Sequence, residues 1–298
     1  MEALDPSRLA AARHAYSVLD VRDEEEFRAG HLEGSGHLPA AELSARRSEL
    51  PPRDAAVLVI AADGARAEAA ALQVETLGYA RVAWLDGAAA ARAGDLRDRA
   101  PAARLWRPSP FLEQVLPVID PRRGQARVLD LAAGAGRESV YLALRGYRVE
   151  AWDHDRGALE RARAMGERHG VTIETQVRDL ETRDPRLPVE AHDVVMVFRF
   201  LHRPLFPRIA HAVVPGGCVV YETYLKGQER FGRPKNGRFL LDAGELPTRF
   251  PGFGVEHYEE QRPESGPWLA RLLARKPAAG PSAVDRAATP SSESASAP

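Results

Sequence analysis

Residues 127–147 read RVLDLAAGAGRESVYLALRGY. Val128 to Leu131 is a short apolar run of the kind that forms a buried strand. Gly134, Ala135 and Gly136 make a Gly-rich turn, and the residues after it carry a helical pattern closed by Gly146 at the C′ position. Such a turn brings backbone N–H groups within reach of a ligand, because glycine leaves no Cβ in the way. Downstream, YRVEAWD reads as the next strand and ends at Asp153, 23 residues beyond Asp130. An acid about 20 positions on is what grips ribose hydroxyls in nucleotide-binding α/β sheets. The stretch therefore predicts a mostly parallel α/β sheet with a nucleotide-like ligand at its strand ends.

The choice of nucleotide follows from charge. Dinucleotide sites usually continue to a third glycine, where Ser139 stands here, and their pyrophosphate would be repelled by a carboxylate placed as Asp130 is. S-adenosylmethionine brings an ammonium, a sulfonium and no phosphate, so an acid beside the loop becomes favourable. With these features in place, residues 105–276 resemble the class I S-adenosylmethionine-dependent methyltransferases, which implies a Rossmann-like, seven-stranded domain. The first motif of that family corresponds to Val128–Gly136, so that Asp130, Ala132, Gly134 and Gly136 are expected at the cofactor, with Asp153 on the ribose. VTIETQVRDL is similar to the third strand and places Asp179 near the adenine amine, with Leu180 beside it. HDVVMVF resembles the fourth strand, and AVVPGGCVVYE the Pro-Gly-Gly turn entering the fifth. GVEHYEEQ and PWLARLLARK fit the antiparallel pair that closes the sheet. The closest subgroup resemblance is to small bacterial enzymes of the tellurite-resistance and thiopurine type, which implies a small, soft or thiol-like acceptor.

Methyl transfer from a sulfonium depends mainly on positioning and desolvation, so no single catalytic residue type is obligatory. The loop after the fourth strand, Arg199 to Phe206, lacks the Asn/Asp-Pro-Pro-aromatic motif of nucleobase or Gln methylation. His202 in that loop has two readings, a base for the acceptor or a cap of the next helix. Tyr221 and Glu222 end the fifth strand and border the same crevice, which makes them the other catalytic candidates. Cys218 is expected in the core. YLKGQERFGRPKNGRFLLDAGEL reads as a lid, a substrate loop or a solvated connection.

Toward the amino terminus, Leu19-Asp-Val-Arg22, Glu26-Phe27 and Gly30-His-Leu-Glu-Gly-Ser-Gly-His-Leu-Pro39 are similar to the opening signature of rhodanese domains. The likeness continues through VLVIAADGARAEAAALQVETLGYARVAWLDGA. In active members of that family the loop begins with a persulfide-carrying cysteine, and here Ala61 holds the place, with Gly64 and Arg66 retained. The resemblance implies a second α/β domain over residues 8–95 that is catalytically silent. His31 and His37 read as structural residues of a Gly-rich turn, and no metal site is expected. Residues 96–110 are Ala-, Arg- and Pro-rich and read as a linker, 111–276 as the methyltransferase domain, and 277–298 as a disordered tail.

Composition narrows the remaining classes. The 298 residues are 44% hydrophobic and 28% charged, with a formal net charge of −1, so no global field draws in nucleic acid or anionic lipid. One cysteine forms no internal disulfide and no Cys-based zinc cluster, which makes a cytoplasmic location the expectation. The longest apolar run, Ala55 to Ala62, is too short to span a membrane. The combined expectation is a bacterial, S-adenosylmethionine-dependent methyltransferase of a small-molecule acceptor, with a protein partner as one use for the silent module. The competing readings are a non-catalytic S-adenosylmethionine-binding regulator and a docking or sulfur-relay scaffold.

Overall fold

The computed structural model describes residues 1–9, 14–119 and 126–279. Contacts divide the chain into two units, Met1–Pro108 and Ser109–Pro298. Residues 280–298, most of the stretch read as a disordered tail, lie outside the described residues.

The first unit is built on five parallel strands, β1 (Glu2–Ala3), β2 (Ser17–Asp20), β3 (Gly36–His37), β4 (Val57–Ala61) and β5 (Val82–Asp86), in the order β1-β5-β4-β2-β3. Every residue of central β4 is buried, as expected for a parallel strand covered on both faces. Helix α1 spans Glu24–Ala29, α2 Gly64–Thr76 and α3 Gly87–Arg92. The small stripe Ala67, Ala70, Ala71 and Val74 lets α2 lie close on the sheet. The Asp-Val-Arg motif forms a buried fork: Arg22 Nε donates to Asp20 Oδ1 at 3.0 Å, and Nη2 to Asp20 Oδ2 at 2.7 Å and to the Gly30 carbonyl at 2.8 Å. His31 and His37 stack on Phe27 at 3.9 and 4.5 Å. Their ring nitrogens face the carbonyls of Phe27 and Arg22, so both rings hold the turn together.

Composition suggested a linker over residues 96–110, and the structure corrects this for most of it. Arg97 bridges His31 as an isolated antiparallel pair, Gly34 N–H donates to Pro101 O, Ala103 N–H donates to Ser35 O, and Leu105 packs on the core of the first unit. The backbone of this Ala- and Pro-rich stretch takes its partners from the Gly-rich turn, a long-range match that local composition does not encode.

In the second unit, α4 (Pro110–Ile119) precedes β6 (Arg127–Leu131), α5 (Arg137–Ala143), β7 (Arg148–Asp153), α6 (Arg156–Arg168) and β8 (Glu174–Val177). Then follow β9 (His192–Phe198), α7 (Leu205–Ala212), β10 (Val213–Tyr224), α8 (Glu245–Thr248), β11 (Gly254–Gln261) and β12 (Leu269–Arg275). The sheet order is β8-β7-β6-β9-β10-β12-β11, parallel from β8 to β10 and antiparallel on both sides of β12. The chain runs outward from β6 to β8, then returns to β9 on the other flank of β6. The carboxyl ends of β6 and β9 therefore form the switch point at which ligands of such sheets bind. The Pro-Gly-Gly segment, expected as a turn entering the strand, lies within β10, where Gly216 has a φ of 79° and the pairing with β9 shifts register between Val213 and Cys218. Cys218 is fully buried opposite Val194 and Arg275.

Candidate functional site

At the end of β6 the backbone turns through Ala132, whose φ of 58° is unusual for a residue with a side chain. Ala133 N–H donates to Trp152 O at 3.0 Å and Gly136 N–H to Ala133 O at 2.9 Å, closing the turn. The two glycines of the turn do different things. A Cβ on Gly136 would stand 2.5 Å from Ala162 Cβ, so this glycine lets α5 approach α6. A Cβ on Gly134 would meet nothing within 4 Å, so this one borders open space.

Asp153, at the end of β7, holds the turn from beside it. Its Oδ2 accepts Gly134 N–H at 2.8 Å and its Oδ1 accepts Asp155 N–H at 2.9 Å. Arg178 N–H donates to Asp153 O at 2.8 Å, which draws the end of β8 to the same edge and carries Asp179 and Leu180 with it. Asp179 is exposed and caps Glu181 N–H at 2.9 Å, whereas Leu180 is buried in the core cluster that includes Leu131, Trp152 and Leu201. Asp130 lies beneath the turn, 2% exposed, with one carboxylate oxygen accepting Ser139 Oγ at 2.6 Å. Burial raises its pKa well above the usual carboxylate range against the opposing bond from Ser139, and the charges of Glu138 and Asp153 add to the rise. Asp130, Ala132, Gly134 and Asp153 thus meet at one strand edge, Asp179 and Leu180 adjoin it, and Gly136 belongs to the helix packing behind it.

The catalytic candidates separate. Tyr221 and Glu222 are neighbours on β10 and so face opposite sides of the sheet. Tyr221 is fully buried, its ring 5.4 Å from that of Phe206 and its hydroxyl donating to Phe200 O at 3.1 Å. Burial drives its pKa upward, which suits a core residue and corrects its expected place on the crevice. Glu222 is also fully buried and sits among cations: Arg271 Nε at 2.6 Å, Arg199 Nε at 3.1 Å, with Ser109 Oγ donating at 3.1 Å. A carboxylate so engaged positions the two arginines and, being fully buried, does not face the crevice, a second correction. His202 is partly exposed, with Nε2 3.1 Å from Thr182 O.

Sequence reasoning passed over Arg199, Arg271, Ser109 and Glu138. Arg271 carried a signal, being a charged residue inside the otherwise apolar Leu-Ala-Arg-Leu-Leu-Ala of β12. Arg199 directly follows β9, with φ 60° and its N–H donating to Glu222 O at 2.7 Å. Glu138 accepts Ser109 N–H at 3.1 Å, and burial raises its pKa.

Residues 5–91 match the family described as the rhodanese-like domain, and residues 113–260 the family described as tellurite resistance protein TehB. The chain joins a rhodanese-like domain to a TehB-type class I methyltransferase domain. S-adenosylmethionine is the cofactor expected of the second domain. A probable S-adenosyl-L-methionine-dependent methyltransferase TehB of Haemophilus influenzae is 34% identical over 83 residues, which is 28% of this chain and 29% of that protein's length. An uncharacterized protein of Schizosaccharomyces pombe is 23% identical over 81% of this chain and 87% of its own length, so the aligned stretch extends over both domains. Among solved structures, TehB from Haemophilus influenzae has 19% identity and a TM-score of 0.46 over 57% of this chain and 62% of its own. A methyltransferase from Mesorhizobium loti has 21% identity and a TM-score of 0.45 over 56% and 99%.

In the rhodanese-like domain, Ala61 ends β4 at a cavity of about 500 Å³ bordered by Arg22, Pro39 and Arg66. Asp63 Oδ1 accepts Arg66 N–H at 2.9 Å, so the first turn of α2 is capped by its own loop. Among the described residues no group of three or more His, Cys, Asp or Glu side chains is placed to hold a metal ion, and no helix is long and apolar enough to cross a membrane.

Proposed function

We propose that the second domain transfers the methyl group of S-adenosylmethionine to a small-molecule acceptor, and that the rhodanese-like domain is catalytically silent. The observation carrying this reading is the meeting of Asp130, Gly134 and Asp153 at the switch point of β6 and β9. The donor set suits the cofactor. Among the described residues only Ser139 bonds the Asp130 carboxylate, which leaves it an oxygen for an ammonium. Asp153 keeps unused lone pairs for ribose hydroxyls beside the N–H groups it already accepts. Asp179 stands on the adjoining strand end for the adenine amine, with Leu180 as an apolar wall. Bound S-adenosylmethionine supplies an electrophilic methyl on a sulfonium. The chain holds that cofactor at the strand ends, and the turn at Gly134 leaves room for it. His202 alone of the three catalytic candidates has a partly exposed side chain, so proton removal, where the acceptor requires it, falls to His202 or to water.

The near-zero net charge supports a small acceptor over a polyanion. Ala61 supports the silent first domain, since sulfur transfer needs a thiolate that carries the sulfane sulfur. The test is incubation with labelled methyl donor and a fractionated metabolite extract, alongside tRNA, DNA and protein. Labelling of a small molecule is expected, and faster methylation of any macromolecule overturns the acceptor class. A thiosulfate-to-cyanide assay is expected to give no thiocyanate above the enzyme-free control.

A further inference from the structure

Beyond the strand ends that carry Asp130 and Asp153 lies a cavity of about 670 Å³, whose walls come from the segment after β9, the end of β10 and the loop at residues 233–239. Arg199, Arg233 and Lys235 border it, and no carboxylate does. Phe200, Tyr224 and Phe239 supply apolar walls, and the Arg199 guanidinium stands 5.2 Å from the centre of the Tyr224 ring.

The charge of this cavity is cancelled from behind at Arg199 and not at Arg233 and Lys235. Glu222 holds Arg199 from behind, and Arg271, which shares Glu222, is also paired with Glu259 at 2.8 Å, so that cluster is balanced and the uncompensated charge of the cavity is that of Arg233 and Lys235. The next acids along the chain are already engaged, Asp242 by Lys226 and Glu245 by Arg203 and Arg249. Arg233 and Lys235 have no ion pair or hydrogen bond of their own among the described residues. The loop that presents them is anchored: Trp268 N–H donates to buried Gln228 Oε1 at 2.8 Å, Leu225 pairs with Leu241, and Arg203 Nη1 and Nη2 each bond a loop carbonyl at 2.9 Å. Two unpartnered cations on an anchored loop, opposite a third that its carboxylate orients and above aromatic walls, make a receptor for a flat anion.

The geometry points to an organic anion with an aromatic or otherwise flat apolar body as the molecule this cavity takes, its charged end at Arg233 and Lys235 and its body on Tyr224 and Phe239. A cavity this large exceeds what a bare oxyanion fills, and a neutral guest would leave the cations without compensation. Only the role of that molecule as methyl acceptor rests on the methyltransferase reading. The cavity opens beside the carboxyl ends of β9 and β10, and the cofactor site proposed above lies at those of β6 and β9.

The experiment measures 2-naphthoate and its neutral counterpart 2-naphthamide by calorimetry on the full chain, with R233Q, K235Q and the double variant. Both side chains are exposed, so these variants are expected to fold, and unchanged thermal unfolding checks it. Naphthoate is expected to bind about tenfold or more tightly than naphthamide, and the double variant to weaken naphthoate about tenfold or more while leaving naphthamide unchanged. Equal binding of the two probes, no binding of naphthoate, or an unaltered naphthoate affinity in the double variant overturns the inference. S-adenosylmethionine is titrated into the same proteins. If it fails to bind while naphthoate discrimination holds, the methyltransferase reading falls and the anion site stands. If it binds normally while the discrimination is absent, the reverse is true.

Discussion

The two domains each carry a parallel strand that ends in a sharp turn and a helix, and they treat that turn in opposite ways. After β4, Asp63 closes the turn from within by accepting Arg66 N–H, and the residue that ends the strand is Ala61. After β6, the helix starts at Gly136 with no capping side chain. The turn is instead held from a neighbouring strand by Asp153, which leaves Gly134 facing open space. Sharing a strand-turn-helix architecture therefore says little about activity; what matters is which group occupies the amides of the turn and what stands at the strand end.

The largest expected effect separates the two glycines of the second turn. Gly136→Ala combines a left-handed φ of 73° with a Cβ 2.5 Å from Ala162, and is expected to destabilise this domain by about 2–5 kcal/mol in urea unfolding. Gly134→Ala has only the backbone penalty, about 1–2 kcal/mol, yet is expected to impair S-adenosylmethionine binding. Equal stability losses for the two would erase the distinction between a packing glycine and a ligand-facing one.

Next in size, Asp153→Ala removes the group that holds the turn and the proposed ribose acceptor together. Its cost to S-adenosylmethionine binding is about 1.5–3 kcal/mol, measured by calorimetry, and an unchanged affinity would remove Asp153 from the site.

Asp130 yields a pH signature. Its folded pKa is raised, so lowering the pH through that value neutralises it, and S-adenosylmethionine affinity is expected to fall on the acid side. Asp130→Asn should bind more weakly at neutral pH and lose that dependence. The same raised pKa means the ligand-free folded chain holds this proton more tightly than the unfolded chain does. Its contribution is most favourable below the ordinary carboxylate range and is lost as pH rises through the folded value. Thermal unfolding near neutral pH is therefore expected at a higher temperature in Asp130→Asn than in the parent chain.

The smallest effect belongs to the first turn. Asp63→Ala is expected to cost about 1 kcal/mol in unfolding of the rhodanese-like domain, the usual worth of an N-cap. Because Asp63 also sets a negative charge where an anionic persulfide would need N–H donors, Ala61→Cys alone should show less sulfurtransferase activity than Ala61→Cys with Asp63→Ala. The reverse order would show that the loop still offers its amides.

The sequence alone determined both fold classes, the Gly turn, the acids at the ends of β6 and β7, and the missing thiol. All of these are written in contiguous residues, where strand length, glycine placement and residue type act locally. Tertiary structure alone decided the rest. Tyr221 and Glu222 looked alike in sequence because β10 is buried on both faces and shows no polar alternation to reveal which way each side chain points. Packing sent one ring to Phe206 and the other side chain to arginines 23 and 49 positions away in the chain. Residues 97–105 read as a linker because their partners lie around Ser35, and composition carries no record of a hydrogen bond made across that distance. The cationic cavity arises the same way, from residues 199, 233 and 235 that only the return of the chain past the end of β9 brings to one wall.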